Sequence, residues 1–365
     1  MELFPELEKR YTKDHYTARE AQRMAEFIAF GPIVFQASRL LVKYGILELL
    51  REHREGLTRI EVTEATGLSE YTVKCLLEAG LCIGTVLVDT ETDRYMISKV
   101  GWFLLTDEAT KVNMDFNNDV NYEGFFHLDE SFREHRPAGL KCLGDWDTIY
   151  EGLSTLPEPA RTSWFAFDHF YSNNSFEEAL KVIFDRPVRN LLDVGGNTGK
   201  WALQCVGHDP DVEVTILDLP QQIGLMRKET SGKPGAERIH GCGGNLLDPS
   251  TKLPTDKEYD VIWMSQFLDC FSEEQIVSIL KKVKAAAGKN TRIYILEPLW
   301  DRQEYEAASF CLNHTSLYFT NIANGNSKMY SAAQMEACIK KAGLKVEKMF
   351  DGVGRFAYTL IRCVK

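Results

Sequence analysis

The feature that most constrains the fold is the stretch 190–205, NLLDVGGNTGKWALQC. An apolar run ends in an acid, breaks into glycines and resumes with helix-forming residues. A strand that enters a helix through a glycine-rich turn is typical of α/β sheets that bind a ligand at the carboxyl end of their first strand. The turn therefore predicts a largely parallel sheet with a ligand site at this point.

Strand-like and helix-like segments alternate from residue 188 onward. The candidate strands are Val188–Val194, Val212–Leu217, Arg238–Cys242, Tyr259–Ser265, Arg292–Glu297, Leu344–Phe350 and Arg355–Cys363. This alternation predicts a doubly wound α/β sheet. Only Asp351–Gly354 separates the last two strands, too few residues for a helical crossover, so we expect an antiparallel hairpin. Between strands, Ser272 and Gln275 have the spacing of a capping box, and Gly288 suits the end of that helix.

The chain before residue 111 is mainly helical. Residues 21–50 are rich in helix formers with apolar residues at helical spacing. Thr58 and Glu61 have capping-box spacing, Ser69 opens a further helix, and two strand-like runs follow. The order helix, helix, helix, hairpin is that of a winged helix.

The composition and periodicity of the sequence change along the chain and predict three domains. Residues 1–110 form the winged-helix-like part, residues 111–175 an aromatic-rich helical linker that contributes to a pocket, and residues 176–365 the α/β domain.

Composition limits the function classes. The 365 residues are 44% hydrophobic and carry a net charge of −11, which is unfavourable for binding nucleic acid. Nine cysteines without CxxC spacing indicate free thiols in a reducing cytoplasm. No run of eighteen apolar residues predicts a membrane span, and the charged start is unlike a secretory signal. No metal site is expected.

The glycine turn excludes two phosphate-binding motifs. A dinucleotide fingerprint starting at Gly195 needs glycines where Asn197 and Lys200 stand, and the GxxxxGK[ST] loop is also absent. The pattern that fits is acid-x-Gly-x-x-x-Gly, from Asp193 to Gly199. Here glycines allow close backbone approach to a ligand, and Asn197 tolerates left-handed angles.

Two acids point to the kind of ligand. Asp193 suits an amine-bearing group better than a pyrophosphate, and Asp218, which closes the second strand, can accept hydrogen bonds from a ribose diol. The sequence therefore predicts a nucleoside that carries an amino acid, which describes S-adenosylmethionine.

The chain resembles the small-molecule O-methyltransferases typified by plant caffeate and bacterial polyketide enzymes. The matching phrases span nearly the whole chain: LLDVGGNTG, ILDLP, GGNLLDP, YDVIWMSQFLDCFSEEQ, ILEP and KKAGLKVEKMF. The resemblance implies a Rossmann-like class I methyltransferase domain with a seven-stranded sheet, S-adenosylmethionine as cofactor, S-adenosylhomocysteine as product, and a homodimer formed by the N-terminal domain. The predicted cofactor site comprises Asp193, Gly195, Gly196, Gly199, Asp218, Leu219, Asn245, Leu246 and Ser265.

The chain departs from the family pattern in several places. The family usually has glycine at 197 and aspartate at 245, where the amide oxygen of Asn245 can still accept from an adenine amino group. The family's catalytic stretch, Lys-Trp-x-x-His-Asp-Trp-Ser-Asp-Glu, falls on residues 265–274, so that Asp269 replaces the histidine base and Ser265 the lysine. One supporting glutamate is kept as Glu297. The other, expected near 326–329, is absent.

Three explanations of this departure are open. Asp269 is the base, with its pKa raised by burial and by Glu297. Alternatively, an already nucleophilic acceptor is held in line with the methyl group and needs no strong base. In the third, methyl transfer is lost and the site only binds. His127, His169 and His314 are more typical of structural histidines, and Cys270 of a buried filler.

The acceptor is expected to be a small aromatic or apolar molecule. Trp164, Phe167 and Tyr171 fall where relatives contact the acceptor, and His314 lies in a segment that caps the pocket in relatives. Trp263 and Tyr318 are read as core.

Two other function classes compete with methyl transfer. A winged helix can bind DNA, but its candidate recognition helix, SEYTVKCLLEAG, is net negative. The apolar helices of Phe27–Leu50 favour dimerisation instead. A different reaction at the same cofactor site is the other alternative, because some relatives of this family catalyse decarboxylation or hydroxylation.

Overall fold

The computed structural model describes residues 2–172 and 174–365. The chain divides into two compact units. The larger unit comprises Met1–Lys13, Asn121–Arg161 and Asp168–Lys365, and the smaller unit comprises Asp14–Val120 and Thr162–Phe167. The long helix that contains residue 168 therefore contributes to both units.

The helices are α1 (Pro5–Tyr11), α2 (Ala18–Ala29), α3 (Gly31–Lys43), α4 (Ile46–Glu52), α5 (Arg59–Thr66), α6 (Glu70–Ile83), α7 (Lys99–Thr106), α8 (Glu108–Phe116), α9 (Leu128–Glu134), α10 (Ile149–Gly152), α11 (Ala160–Ser172), α12 (Phe176–Ile183), α13 (Lys200–His208), α14 (Pro220–Thr230), α15 (Glu273–Ala286), α16 (Glu306–Tyr318) and α17 (Ala332–Lys341). The strands are β1 (Leu57–Thr58), β2 (Val86–Asp89), β3 (Arg94–Ile97), β4 (Asn190–Val194), β5 (Glu213–Asp218), β6 (Ile239–Gly243), β7 (Val261–Ser265), β8 (Arg292–Glu297), β9 (Lys345–Val353) and β10 (Tyr358–Val364).

The smaller unit has the predicted winged-helix order. A three-stranded sheet, β1-β3-β2, follows the helices, and buried leucines and valines of α3 to α6 form its core. Thr58 caps α5 through a capping box with Glu61, and Ser69 caps α6, as predicted. The helical stretch 21–50 is broken twice. Helix α3 begins at Gly31 after the break at Phe30, with Pro32 in its first turn, and the left-handed Gly45 (φ +72°) caps the start of α4.

The larger unit contains the predicted seven-stranded sheet, in the order β6-β5-β4-β7-β8-β10-β9. The strands from β6 to β8 are parallel, and β10 is antiparallel to both of its neighbours. The doubly wound fold and its terminal hairpin are therefore confirmed. The strand order reverses between β4 and β7, which is where such sheets bind ligands.

Both faces of this sheet are covered. Leu192 and Val194 pack on one face with α15 and α17, while Leu191 packs on the other with α12 and α13. Burial on both faces explains why the strands read as nearly continuous apolar runs.

Helix α15 starts as predicted and ends differently. The capping box of Ser272 and Gln275 is present. The helix ends at Ala286, and Gly288 is not left-handed, contrary to the expected glycine stop. Instead, the Gly288 N–H donates to Thr291 Oγ1 at 2.9 Å, and Thr291 Oγ1 donates to the carbonyl of Tyr259. A threonine hydroxyl thus ties the chain to the sheet where a left-handed glycine was expected.

The length and hydropathy of the described helices bear on whether one of them could span a membrane. None of them is by itself long and apolar enough to cross a membrane, although α2 and α3 pass that test as a pair bent by 75°.

Candidate active site

The turn after β4 depends on left-handed backbone angles. Gly195, Asn197 and Gly199 have φ values of +78°, +49° and +80°. A Cβ atom on Gly195 would collide with the ring of Phe267, and one on Gly196 would lie 2.5 Å from Asp193 Oδ2. These positions therefore require glycine for space as well as for angle, whereas at 197 asparagine replaces glycine without leaving the left-handed region.

Asp218 is tied to this turn. Its Oδ2 accepts the N–H of Asn197 at 2.8 Å, and its Oδ1 accepts the N–H of Leu219 at 2.7 Å. Burial raises the pKa of Asp218, although these two bonds oppose the rise. Because each carboxylate oxygen can accept more than one hydrogen bond, the oriented carboxylate retains acceptor capacity for a ligand.

Asp193 is a buried carboxyl group on β4. It is 2% exposed, and its Oδ2 has no hydrogen-bond partner. Burial and the nearby charge of Asp218 hold the pKa of Asp193 well above its usual range. A buried carboxyl group of this kind is more stable when it is protonated, or when it accepts a hydrogen bond from a ligand, than as an unpaired carboxylate.

Asn245 and Leu246 follow β6. Asn245 is exposed and its Oδ1 accepts the N–H of Leu247 at 2.9 Å, while Leu246 is buried. The amide oxygen expected to meet an adenine amino group is thus shared with a backbone donor.

The turn after β7 is built on Glu297. Ser265 ends β7, and Gln266 adopts a left-handed φ of +47°, which is unusual for a residue other than glycine. Oε1 of Glu297, at the end of β8, accepts the N–H groups of Phe267 (3.1 Å) and Leu268 (2.8 Å). The family's retained glutamate therefore shapes the turn that carries residue 269.

Asp269 lies in a low-dielectric environment beside that glutamate. It is 7% exposed, and Cys270 Sγ donates to its Oδ1 at 3.5 Å. Burial raises the pKa of Asp269 to about 6. Burial and the charge of Asp269 hold the pKa of Glu297 well above its usual range. The two carboxyl groups named as catalytic candidates are thus brought together.

Two site residues escaped the sequence reasoning. Asp168 on α11 faces the same region, since its charge raises the pKa of Asp269, and burial raises its own pKa to about 6. Tyr358 on β10 is buried, and its hydroxyl donates to the carbonyl of Tyr171 at 2.8 Å, with Gln266 Oε1 at 3.3 Å. A signal for Asp168 was available, since it is the one acid in the aromatic run SWFAFDHFY. Nothing local to the sequence marks Tyr358.

The predicted acceptor residues are distributed over both units. In the smaller unit, Phe167 stacks on Phe116 with ring centroids 4.0 Å apart, and Trp164 contacts Phe165 edge-on. In the larger unit, the ring of Tyr171 packs against that of Phe356, with centroids 4.9 Å apart.

His314 is not joined to the acidic pair by any described contact. It is exposed on α16, its Nδ1 lies 2.7 Å from the carbonyl oxygen of Phe310, and its ring packs on that of Phe310. The geometry is that of a histidine satisfied within its own helix.

An amide occupies the region where the second family glutamate is missing. Asn324 Nδ2 donates to the carbonyl of Cys270 at 2.9 Å and to Ser327 Oγ at 2.8 Å. The Asn324 amide thus fixes the carbonyl of Cys270, next to Asp269, without adding a charge. Within the described residues, no group of three or more histidine, cysteine or acidic side chains is placed to hold a metal ion.

Two family models match the chain. The Dimerisation2-like domain matches residues 22–95, and the O-methyltransferase domain matches residues 171–345. Among curated proteins, an L-tyrosine C(3)-methyltransferase of Streptomyces lavendulae is 25% identical over 325 residues, which is 88% of this chain and 86% of that protein. A mitomycin biosynthesis 6-O-methyltransferase of the same species is 22% identical and covers 90% of each chain.

Solved structures agree in fold. The S-adenosylmethionine-dependent methyltransferase SibL has a TM-score of 0.68 at 21% identity and covers 93% of this chain and 98% of its own. The mitomycin 7-O-methyltransferase MmcR has a TM-score of 0.67 at 21% identity, with 94% and 98% covered. PigF, solved with S-adenosylhomocysteine, has a TM-score of 0.66 at 19% identity, with 96% and 100% covered. At these identities the likeness shows a common fold.

Proposed function

We propose a reaction on the premise that this chain belongs to the S-adenosylmethionine-dependent O-methyltransferase family with an N-terminal dimerisation domain. The proposed reaction transfers a methyl group from S-adenosylmethionine to an oxygen of a small aromatic or apolar acceptor. The observation that carries it is the contact between the glycine turn after β4 and the turn after β7, which leads to Asp269. The ring of Phe267 packs against Gly195, and the backbone N–H of Phe267 donates to Glu297 Oε1. Cofactor and proton-accepting groups then lie at adjoining strand ends.

The turn and its two acids fit the proposed cofactor. The cradle around Gly195 and Gly196 has no room for a Cβ atom, and Asp193 keeps an unpartnered buried oxygen. Asp218, already oriented by the turn, would bind the ribose diol. The full proposed cofactor set is Asp193, Gly195, Gly196, Gly199, Asp218, Leu219, Asn245, Leu246 and Ser265. S-adenosylmethionine supplies an electrophilic methyl group when it is bound there.

Asp269 is proposed as the base. An ordinary aspartate is too weak a base to accept a proton from a phenol efficiently. A pKa of about 6 makes Asp269 a stronger base, and its carboxylate is still mostly ionised at pH 7.5. Asp269 takes the acceptor's hydroxyl proton. Glu297 orients the turn through Phe267 and Leu268, and its own carboxyl group keeps a proton because Asp269 lies close.

The remaining parts of the proposal concern acceptor and assembly. Trp164, Phe167, Tyr171 and His314 are proposed to contact the acceptor. The domains are proposed to be residues 1–110, 111–175 and 176–365, with a homodimer formed through the first. All nine cysteines are thiols rather than disulfides, which supports a reducing, cytoplasmic location.

Methylation of a ring carbon is the second candidate. The relative from Streptomyces lavendulae that matches 88% of this chain is named for methylation at carbon 3 of L-tyrosine. Carbon methylation of a phenol needs removal of the hydroxyl proton and then of a ring proton, and two neighbouring carboxyl groups can serve both steps. Mass and proton spectra of the product distinguish a methyl ether from a methylated ring.

Calorimetric titration with S-adenosylhomocysteine, with NAD as control, tests the cofactor assignment. We expect micromolar binding of S-adenosylhomocysteine alone. Asp218→Ala should weaken it by about 1–3 kcal/mol, because buried ribose hydroxyls lose a partner, whereas the exposed Asp256→Ala should change nothing. Unchanged affinity in Asp218→Ala would contradict the ribose assignment, and failure to bind S-adenosylhomocysteine would contradict the reaction.

A further inference from the structure

Three carboxyl groups share the proposed acceptor side of the site. Asp269 and Glu297 are 7% and 1% exposed. Asp168 lies one helical turn before Tyr171 on α11, and the hydroxyl of Tyr358 joins the Tyr171 carbonyl (2.8 Å) to Gln266 Oε1 (3.3 Å), in the turn that leads to Asp269. The charge of Asp168 raises the pKa of Asp269, and that of Asp269 raises the pKa of Glu297. When Asp168 and Asp269 are ionised beside the protonated Glu297, the site therefore holds two negative charges where the surroundings screen them poorly.

The protein supplies little positive charge in return. Lys200 lowers the pKa of Asp168, while burial lowers the pKa of Lys200 itself. Among the described residues, no ion pair engages Asp168, Asp269 or Glu297. Within the described part of the chain, Lys200 thus compensates Asp168 in part and leaves the ionised Asp269 without a counter-charge, while Glu297 keeps its proton.

Neutral donors satisfy Asp269 and Glu297 only in part: two backbone N–H groups donate to Glu297 Oε1 and the Cys270 thiol donates to Asp269 Oδ1. Oε2 of Glu297 has no hydrogen-bond partner although the side chain is 1% exposed. The buried hydroxyl of Tyr358 is committed to the carbonyl of Tyr171 and to Gln266 Oε1. An unpartnered buried oxygen beside a second carboxyl group is costly unless a ligand brings a donor or a positive charge.

We propose that the acceptor carries a cationic nitrogen, as in a protonated amine, held by the carboxylate of Asp168 while Asp269 receives the hydroxyl proton. Asp168 is suited to this role because it is partly exposed on a different element from Asp269, and no described hydrogen bond engages its carboxylate. Asp269 is already bonded to Cys270. The inference rests on the proposed function and adds the charge class of the acceptor.

The test uses matched phenols that differ in charge. The full chain, saturated with S-adenosylhomocysteine at pH 7.5, is titrated with tyramine, its neutral isostere 4-propylphenol and the anionic 3-(4-hydroxyphenyl)propionate, together with the corresponding catechols. We expect the amines to bind at least 10-fold more tightly than the neutral isosteres, and the acids to bind most weakly. Asp168→Asn should abolish the preference for amines, and the exposed Asp256→Asn should keep it.

The outcomes of these titrations distinguish the proposal from other roles of Asp168 and from failure of the proposed function. Equal affinity across the charge series, failure of every amine to bind, or an amine preference that survives in Asp168→Asn would each overturn the proposal. If Asp168→Asn weakens S-adenosylmethionine but not its uncharged-sulfur product, the carboxylate serves the cofactor's own cation and the proposal is wrong. Methylation of neutral phenols without an amine preference would leave the proposed function standing, whereas failure to bind S-adenosylhomocysteine would remove both.

Discussion

The chemistry of the site depends on how a single aspartate is housed. Asp269 occupies a position where a histidine would titrate near neutrality without help. The fold gives the aspartate a comparable pKa by burying it and, to a smaller extent, through the charge of Asp168 rather than that of Glu297, which the sequence had suggested. Burial and a neighbouring negative charge thus raise the proton affinity of this aspartate toward that of a histidine.

The pH dependence of turnover follows from this assignment. A base with a pKa of about 6 must be ionised to act, so kcat/KM should rise with pH through about 6 and level off above it. Asp269→Asn should lower kcat by several orders of magnitude. A variant that keeps turnover and the same profile would show that positioning of the acceptor, rather than a base, carries the reaction.

The same residue should reduce the stability of the ligand-free protein at high pH. The pKa of Asp269 is about 6 in the folded chain against 3.8 for an ordinary aspartate, so the folded state binds the proton more tightly. Stability contributed by this group is therefore lost as pH rises from about 4 to about 6 and stays lost above that range.

Replacing this carboxyl group removes that loss. Relative to wild type, Asp269→Asn should gain on the order of 2 kcal/mol in unfolding free energy between pH 4.5 and pH 8. Urea unfolding at the two pH values measures the gain, and Asp256→Asn provides the baseline. A constant difference between wild type and Asp269→Asn would contradict the raised pKa.

Asn197 tests the left-handed turn. Alanine at this position should cost about 1 kcal/mol, because the left-handed angle is unfavourable for a residue with a plain Cβ. Glycine should be tolerated with little change. Thermal unfolding of Asn197→Ala and Asn197→Gly compares the two, and equal melting temperatures would argue against the left-handed assignment.

At the scale of elements, Tyr358 connects parts of the chain that are far apart in sequence. Its hydroxyl joins the end of α11 to the turn after β7, through Tyr171 and Gln266. Periodicity located β10 and its hairpin, yet it could not show which side chain of that strand would meet α11, because the contact spans 187 residues. Asp168 did leave a local signal, as the one acid of an aromatic run, but that signal does not show that the residue approaches Asp269. Local pattern predicts elements, whereas their meeting points depend on the packed fold.

Removing that hydroxyl should loosen the site. Tyr358→Phe leaves a buried carbonyl and an amide oxygen without a donor, which should cost about 1–3 kcal/mol in stability and lower kcat more than it raises KM. The mid-helix hydroxyl of Thr63 on α5 provides a matched control, because Thr63→Val also removes a buried-side hydrogen bond but lies in the smaller unit. An equal loss of kcat in both variants would show that the Tyr358 hydroxyl contributes to general stability and not specifically to positioning the site.

At the scale of the whole molecule, the sequence predicted the sheet, its hairpin and the winged helix because each leaves a periodic or capping signal. It did not predict that α11 contributes to both compact units, since nothing in an unbroken helical run marks such a division. The smaller unit also exposes large apolar side chains on α2 and α3, with Ile28 70% and Ile33 64% exposed.

These side chains should lie between two copies of the chain. Ile28→Glu combined with Ile33→Glu should convert a dimer into a monomer, because charges placed in an apolar interface lack partners. Light scattering after gel filtration measures the mass, and Tyr305→Glu, an exposed site in the larger unit, serves as control. A dimer that persists in the double variant would place the interface elsewhere.

The interior position of β10 imposes an order on synthesis. Ribosomes make β8 some sixty residues before β10, whose residues 359–363 pair with the open side of β8. Until then β8, which carries Glu297, presents an unpaired backbone edge that can recruit strands from other nascent chains. A chain that lacks β10 would thus keep this edge open and be prone to aggregation, and chaperones that shield sheet edges would be needed most in the interval between the synthesis of β8 and that of β10.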